Sequence, residues 1–185
     1  MRKLLVFNQT SLDSFIADAK GDMSWAHKQD PEWNDWVASN ARGGGELLFG
    51  RVTYQQMASF WPSPLALESM PVVAERMNNG PKVVFSRTLD KVEWNNTRLI
   101  KTDIAAAVRQ LKSEPGPGLV LMGSASIVSQ LAQHDLIDSY QLAINPIVLG
   151  TGKSMFDGLE KPLSLKLTSS RAFKNGNVVV SYERA

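Results

Sequence analysis

The stretch Gly118–Gln133, GLVLMGSASIVSQLAQ, decides how the fold is read. Its apolar run, Leu119 to Met122, is continuous, as in a strand buried on both faces. Gly123 and Ser124 end that run, and an amphipathic segment begins at once. Ile127 and Leu131 are four apart, as are Val128 and Ala132, so one face of a helix is apolar. A strand that hands over to a helix through Gly-Ser-Ala-Ser leaves small residues against which a backbone or a ligand can lie. The helix start behind them offers free N–H groups and a positive dipole end, which suit an anion such as phosphate.

Two more junctions of this kind lie upstream, in LLFGRVTYQQM (residues 47–57) and VVFSRT (residues 83–88). Gly50, Arg51 and Thr53 place a glycine, a cation and a hydroxyl at a helix start, and Ser86 and Arg87 place similar groups after another strand. In a sheet with parallel strands, ligands sit outside the carboxyl ends of the strands. Together the three junctions suit the phosphates of a dinucleotide, with Arg51 or Arg87 reading a 2′-phosphate through a forked, charge-assisted contact. Neither G-x-G-x-x-G nor G-x-x-x-x-G-K-[ST] occurs, so neither the Rossmann nor the P-loop site is supported.

Further outward, strands and helices alternate through the first two thirds of the chain. Leu4 to Phe7 reads as a buried strand, and the polar segment 8–30 as a long loop. Pro31 opens a helix in which Trp33, Trp36 and Val37 share a face, stopped by Gly43 to Gly45. ELLFG, KVVFS and TRLIK read as strands. A helix carrying Tyr54, Met57, Ala58 and Trp61 follows the first of these and ends at Pro62. Asp103 caps a helix with Ile104, Ala107, Val108 and Leu111 inward. After the opening stretch the period changes to two. Tyr140, Leu142 and Ile144 alternate with polar or small residues, as do Leu163, Leu165 and Leu167, then Val178, Val180 and Tyr182. Pro146 marks a bulge or a sheet edge, and Lys174–Asn177, KNGN, a hairpin turn. The expectation is one α/β domain over residues 1–185, with a mixed, mostly parallel sheet of about eight strands, an antiparallel C-terminal edge and helices on both faces.

Composition removes several classes of function. There is no cysteine, hence no disulfide, thiolate nucleophile or Cys-ligated metal, and His27 and His134 alone poorly supply a histidine metal site or a Ser-His-Asp triad. A net charge of +2 with scattered Lys and Arg argues against nucleic acid as the partner. The N-terminal apolar run is too short for a signal peptide and nothing approaches a membrane span, so a cytoplasmic protein is expected.

The blocks LLFGRVTYQQMASFWP and LVLMGSASIVSQLAQHDLIDSYQLAINPIVLGTGKSMF resemble the dihydrofolate-reductase-like family. The likeness is closest to the branch containing the C-terminal reductase domain of the bacterial riboflavin-biosynthesis deaminase–reductase. It covers nearly the whole chain and implies the three-layer fold of that family. It also implies an NADPH-dependent reductase acting on a pterin-, folate- or ribosylaminopyrimidine-like heterocycle. By that resemblance Gly50, Arg51 and Thr53 would hold cofactor phosphates, and Ser86 and Arg87 would lie near the adenosine 2′-phosphate. Gly123, Ser124, Ala125, Ser126 and Ile127 would follow the nicotinamide end and the pyrophosphate. Where dihydrofolate reductases have two adjacent glycines, this chain has Gly123-Ser124. The family's helix carboxylate, which binds the ring and helps protonate it, falls nearest Asp35, with Asp30 and Glu32 as competitors. The segment from Met23 to His27 resembles the loop that closes over the nicotinamide, and Trp25 would face the substrate. A homodimer is also implied. A non-catalytic nucleotide- or pterin-binding protein on the same fold is the alternative.

Overall fold

The computed structural model describes residues 1–26 and 30–185. The chain begins with β1 (Leu4–Thr10) and the short β2 (Phe15–Ala17), then makes one 3-10 turn at Ser24–Ala26. Helix α1 (Pro31–Arg42) starts where Asp30 accepts a hydrogen bond from the Trp33 N–H at 2.9 Å, with Pro31 supplying a first position that needs no donor. Strand β3 (Glu46–Gly50) passes without a loop into α2 (Arg51–Phe60). Two short helices follow, α3 (Pro64–Ser69) and α4 (Pro71–Asn79), each opened by a proline, with Ser63 capping α3 through the Ala66 N–H. Then come β4 (Lys82–Phe85), β5 (Thr97–Ile100) and α5 (Ile104–Ser113), the last capped by Asp103. Strand β6 (Leu119–Leu121) leads into α6 (Ala125–Gln133), and β7 (Ser139–Ile144) follows. The two-residue β8 (Lys153–Ser154) pairs with β2, and β9 (Leu165–Ala172) and β10 (Val178–Arg184) form the closing hairpin.

The main sheet has eight strands in the order β5-β4-β3-β6-β1-β7-β10-β9. From β5 to β7 every neighbour is parallel, while β10 runs antiparallel to both β7 and β9. Leu4, Val6, Leu48, Val83, Leu119 and Leu121 point to one face and pack beneath α5 and α6. Leu47, Phe49 and Val84 point to the other, against α2 and α4, while α1 sends Trp33 onto Ala143 and Val179. This is the mixed three-layer architecture that the alternation of elements predicts.

Four details differ from the sequence reading. The strand beginning at Leu4 runs on to Thr10, and β2 breaks the supposed loop, because β7 offers β1 a partner as far as Ile144. The period-two reading of β7 is only half kept: Tyr140 is buried against one layer and Ala143 against the other, since both faces of this strand are covered. Pro146 follows the end of β7, which lies inside the sheet between β1 and β10, so it marks no edge. Helices α3 and α4 have no counterpart in the sequence reading.

At the amino ends of the strands, Glu46 is buried between two guanidiniums, Arg2 at 2.7 Å and Arg98 at 2.9 Å. This cluster fastens β1, β3 and β5 at the end of the sheet opposite the strand-to-helix junctions.

Candidate active site

Strands β4, β3 and β6 are neighbours, with Gly50 beside Phe85 and Leu48 beside Leu121, so the three junctions singled out in the sequence open side by side. The Gly50 N–H donates to the Gly123 carbonyl at 2.9 Å, which ties the start of α2 to the end of β6. A Cβ on Gly50 would lie 2.7 Å from Ser124 Oγ, so glycine is what this close approach admits. Gly123 has φ +103°, a conformation that side chains disfavour, and Thr53 Oγ1 lies 3.2 Å from where its Cβ would be. The Gly123–Ser124 peptide is cis.

Neither α2 nor α6 receives a side-chain cap, so both helices present their first-turn N–H groups at this crevice. Ser124 and Ser126 put hydroxyls 3.0 Å apart at the start of α6. Ala125 is half-buried between them, and Ile127 is buried with its Cδ1 3.0 Å from the Cβ position of Gly50. Arg51 is exposed and donates to Gln55 Oε1 at 3.2 Å. Arg87 is exposed and pairs with no carboxylate among the described residues. Ser86 Oγ accepts from the N–H groups of Thr88 and Leu89, which shapes the turn that presents Arg87.

One polar side chain at this crevice was not singled out from the sequence. Beyond Val6, β1 keeps β7 as a partner but no longer pairs with β6, which ends at Leu121. Asn8 fills the space where the strands part. It is buried, its Oδ1 lies 3.7 Å from the Cβ position of Gly123, and its Nδ2 has no partner. The signal was present: Asn8 falls on the same alternation as Leu4 and Val6, a polar residue at an inward position.

A cavity of about 420 Å³ opens on the other face of the sheet. Trp33, Val37 and Ala38 of α1 form one wall. Phe60 at the end of α2, Leu65 of α3 and Val73 of α4 form the other, with Gln9 of β1 also lining it. Of the three candidate carboxylates, Asp35 lines this cavity. Asp30 is spent on capping α1, and Glu32 pairs outward with Arg171 at 3.0 Å. Ala26, not Trp25, reaches the cavity, and the Trp25 indole donates to the Asp22 carbonyl at 3.1 Å. Trp33 is held by a stacked contact with Trp36, ring centres 5.0 Å apart, and by an edge contact with Phe173. His27, the end of the segment likened to a closing loop, lies outside the described residues.

The family model of the RibD C-terminal domain matches residues 2–179. The chain belongs to that family. A curated relative, YyaP of Bacillus subtilis (strain 168), an uncharacterised protein, is 28% identical over 181 residues, 98% of this chain and 94% of YyaP. Among solved structures, a putative riboflavin biosynthesis protein from Shewanella sp. PV-4 superposes with a TM-score of 0.77 at 24% identity, covering 99% of both chains. The deaminase/5-amino-6-(5-phosphoribosylamino)uracil reductase of Thermotoga maritima superposes with a TM-score of 0.69 at 15% identity, over 100% of this chain and 57% of that one. The dihydrofolate reductase of Enterococcus faecalis, solved with NADP(H) and RAB-propyl, gives a TM-score of 0.65 at 14% identity, over 98% of this chain and 96% of that one. The dihydrofolate-reductase-like fold is thereby shown, and membership of the RibD C-terminal domain family supports a reductase-type role. Among the described residues, no helix is long and apolar enough to cross a membrane, and no cluster of His, Asp and Glu could hold a metal ion.

Proposed function

We propose that this protein is an NADPH-dependent reductase that delivers a hydride to a small nitrogen heterocycle. The observation that carries the reading is the crevice at the β4, β3 and β6 ends, with the 420 Å³ cavity on the adjoining face. Outside the carboxyl end of β6 the connections diverge. Strand β6 feeds α6 on one face, while its neighbours β3 and β1 are followed by α2 and α1 on the other. Such a switch point is where open α/β sheets take ligands.

The residues present fit the cofactor. Two uncapped helix starts and the hydroxyls of Thr53, Ser124 and Ser126 are a donor set for a pyrophosphate, and Arg87 and Arg51 supply cations for a 2′-phosphate. The buried, unpartnered Asn8 Nδ2 beside Gly123 is a donor awaiting an acceptor such as a carboxamide oxygen. When bound, NADPH supplies the hydride. The chain's own work is then positional: Gly50 and Gly123 admit close approach, and Trp33, Val37 and Phe60 exclude water from one face of the ring. Asp35, which lines the cavity, offers a carboxylate that accepts a hydrogen bond from a ring N–H of the substrate.

The test is titration of the purified protein with NADPH and, separately, NADH, followed by tryptophan emission. A screen of heterocycles for loss of NADPH absorbance comes next. Saturable binding that prefers NADPH, with turnover on a heterocycle, is the expected result. Absence of binding by either nucleotide overturns the reading, and binding without turnover on any ring makes this a ligand-binding protein.

A further inference from the structure

The carboxyl end of β7 holds a group of buried amides that the proposed reaction does not use. Asn145 and Asn177 are both wholly buried. Asn177 stands one residue beyond the Val178–Ile144 pair, so the antiparallel register of β10 and β7 sets it opposite Asn145. Both fall on the alternation of Ala143 and Val179, the face that α1 covers. Asn145 Nδ2 donates to the Thr10 and Ala143 carbonyls, each at 3.2 Å, and to Gln9 Oε1 at 3.4 Å. Those acceptors settle which end of the amide is nitrogen, and Asn145 Oδ1 is left without a donor among the described residues. Asn177 has no partner there for either Oδ1 or Nδ2. Asn175 Oδ1 accepts from the Asn177 N–H at 3.0 Å, which holds the Asn175 amide at the same turn, and its Nδ2 is buried without an acceptor. The Cβ position of Gly176 lies 3.0 Å from Pro146 Cγ, so the hairpin turn closes over the end of β7.

Two acceptors and two donors are thus left over at one enclosed place. A cation would serve the oxygens and leave the N–H groups unmet, and an anion would do the reverse. Water both donates and accepts, and an internal water satisfies roughly two to four buried groups of this kind. We propose that Asn145, Asn175 and Asn177 form a binding site for internal water, which bridges β7 to the tip of the β9–β10 hairpin. Because Asn145 also holds Gln9, which lines the cavity, this site stands one side chain behind the cavity wall. The proposal does not depend on the reductase reading.

Water-selective NOE and ROE spectroscopy on the isotopically labelled full chain tests it, read at the side-chain amide protons of Asn175 and Asn177. A water that stays longer than the molecule takes to tumble gives NOE and ROE peaks of opposite sign, and such peaks are expected at both amides. Asn177→Leu, similar in size but with neither donor nor acceptor, should abolish the peak at Asn175. It should also lower the urea midpoint, because loss of the bridge strands Asn145 Oδ1 and Asn175 Nδ2. Were the amides dry, removing an unmet one would leave the midpoint unchanged or raise it. The inference is overturned by absence of water peaks in the unaltered chain, or by hydrogen-bond couplings that join these amides directly to protein groups. A midpoint for Asn177→Leu that holds or rises overturns it too. If that variant does not fold, the peaks of the unaltered chain decide the question alone. Water peaks in a chain that binds no NADPH would sink the reductase reading and leave this site standing.

Discussion

Asn8 and Arg87 carry the sharpest expectations for single side chains. Burying an amide without a partner costs about 1–3 kcal/mol, and Asn8 Nδ2 is in that position beside Gly123. Asn8→Leu removes that unmet donor at similar shape. The free protein should therefore unfold at the same or a higher denaturant midpoint, while NADPH affinity drops about fivefold for the lost hydrogen bond. A variant that loses stability and keeps NADPH affinity would make Asn8 a structural residue. Arg87 is exposed and has no carboxylate partner among the described residues, which leaves its guanidinium available to a 2′-phosphate. Arg87→Ala should weaken NADPH about tenfold, as for a charge-assisted contact, and leave NADH unchanged. Equal loss for both nucleotides would remove Arg87 from the 2′-phosphate. The sequence pointed to Arg87 because a cation after a buried strand is visible in one dimension. It could not separate Asp35 from Asp30 and Glu32, because capping and the reach of Arg171 to Glu32 are settled only in three.

At the scale of elements, legibility followed local chemistry. Helices α1 and α5 were readable because Pro31 opens the first, Asp103 caps the second and their apolar residues keep a helical period, and β3, β4 and β6 because a short apolar run ends at a small residue. Helices α3 and α4 were not. Both are short, and the leucines of α3, Leu65 and Leu67, are exposed, so no inward stripe announces that helix, and Pro64 and Pro71 read as breakers as readily as first positions. These are the elements that close the cavity, so half of the candidate substrate site was hidden with them. The amino end of β3 supports a different expectation. Glu46 is buried between Arg2 and Arg98, and Arg2 is itself buried. Glu46→Ala would leave a guanidinium in the interior without its counter-charge, at a cost of about 3–5 kcal/mol. Urea unfolding should show that loss, with NADPH affinity retained because the cluster lies at the opposite end of the sheet. A cost below about 1 kcal/mol would mean that water reaches Arg2 freely.

For the whole molecule, alternation of strands and helices followed by a hairpin was enough to predict a mixed sheet with an antiparallel edge, since connection rules leave few topologies. The strand order was not readable: β1 sits between β6 and β7, partners more than a hundred residues away, and pairing of that range leaves no local mark. Global stability carries one further consequence, through Lys82. Its ammonium is enclosed, donating to the carbonyls of Met77 at 2.8 Å, Asn78 at 3.1 Å and Gly80 at 2.7 Å, and lying 4.5 Å over the ring of Trp94. Burial, with the nearby charge of Arg76 adding to it, pushes its pKa down to about 8 from 10.5. Below about pH 8 both the folded and unfolded chains hold this proton, and the penalty of a buried charge is fully present. As pH rises past 8 the folded chain releases the proton while the unfolded chain keeps it, so the unfolded state binds more protons and stability increases with pH. Tyr140 works the other way, but only later: burial pushes its pKa up to about 12, so its ionisation in the unfolded chain erodes stability above about pH 10. Urea midpoints measured between about pH 8 and pH 10 should therefore climb for the unaltered protein. They should climb less for Lys82→Met, whatever that substitution costs at neutral pH by uncapping α4. Parallel slopes for the two proteins would show that Lys82 stays charged in the fold, held by its three carbonyls against the cost of burial.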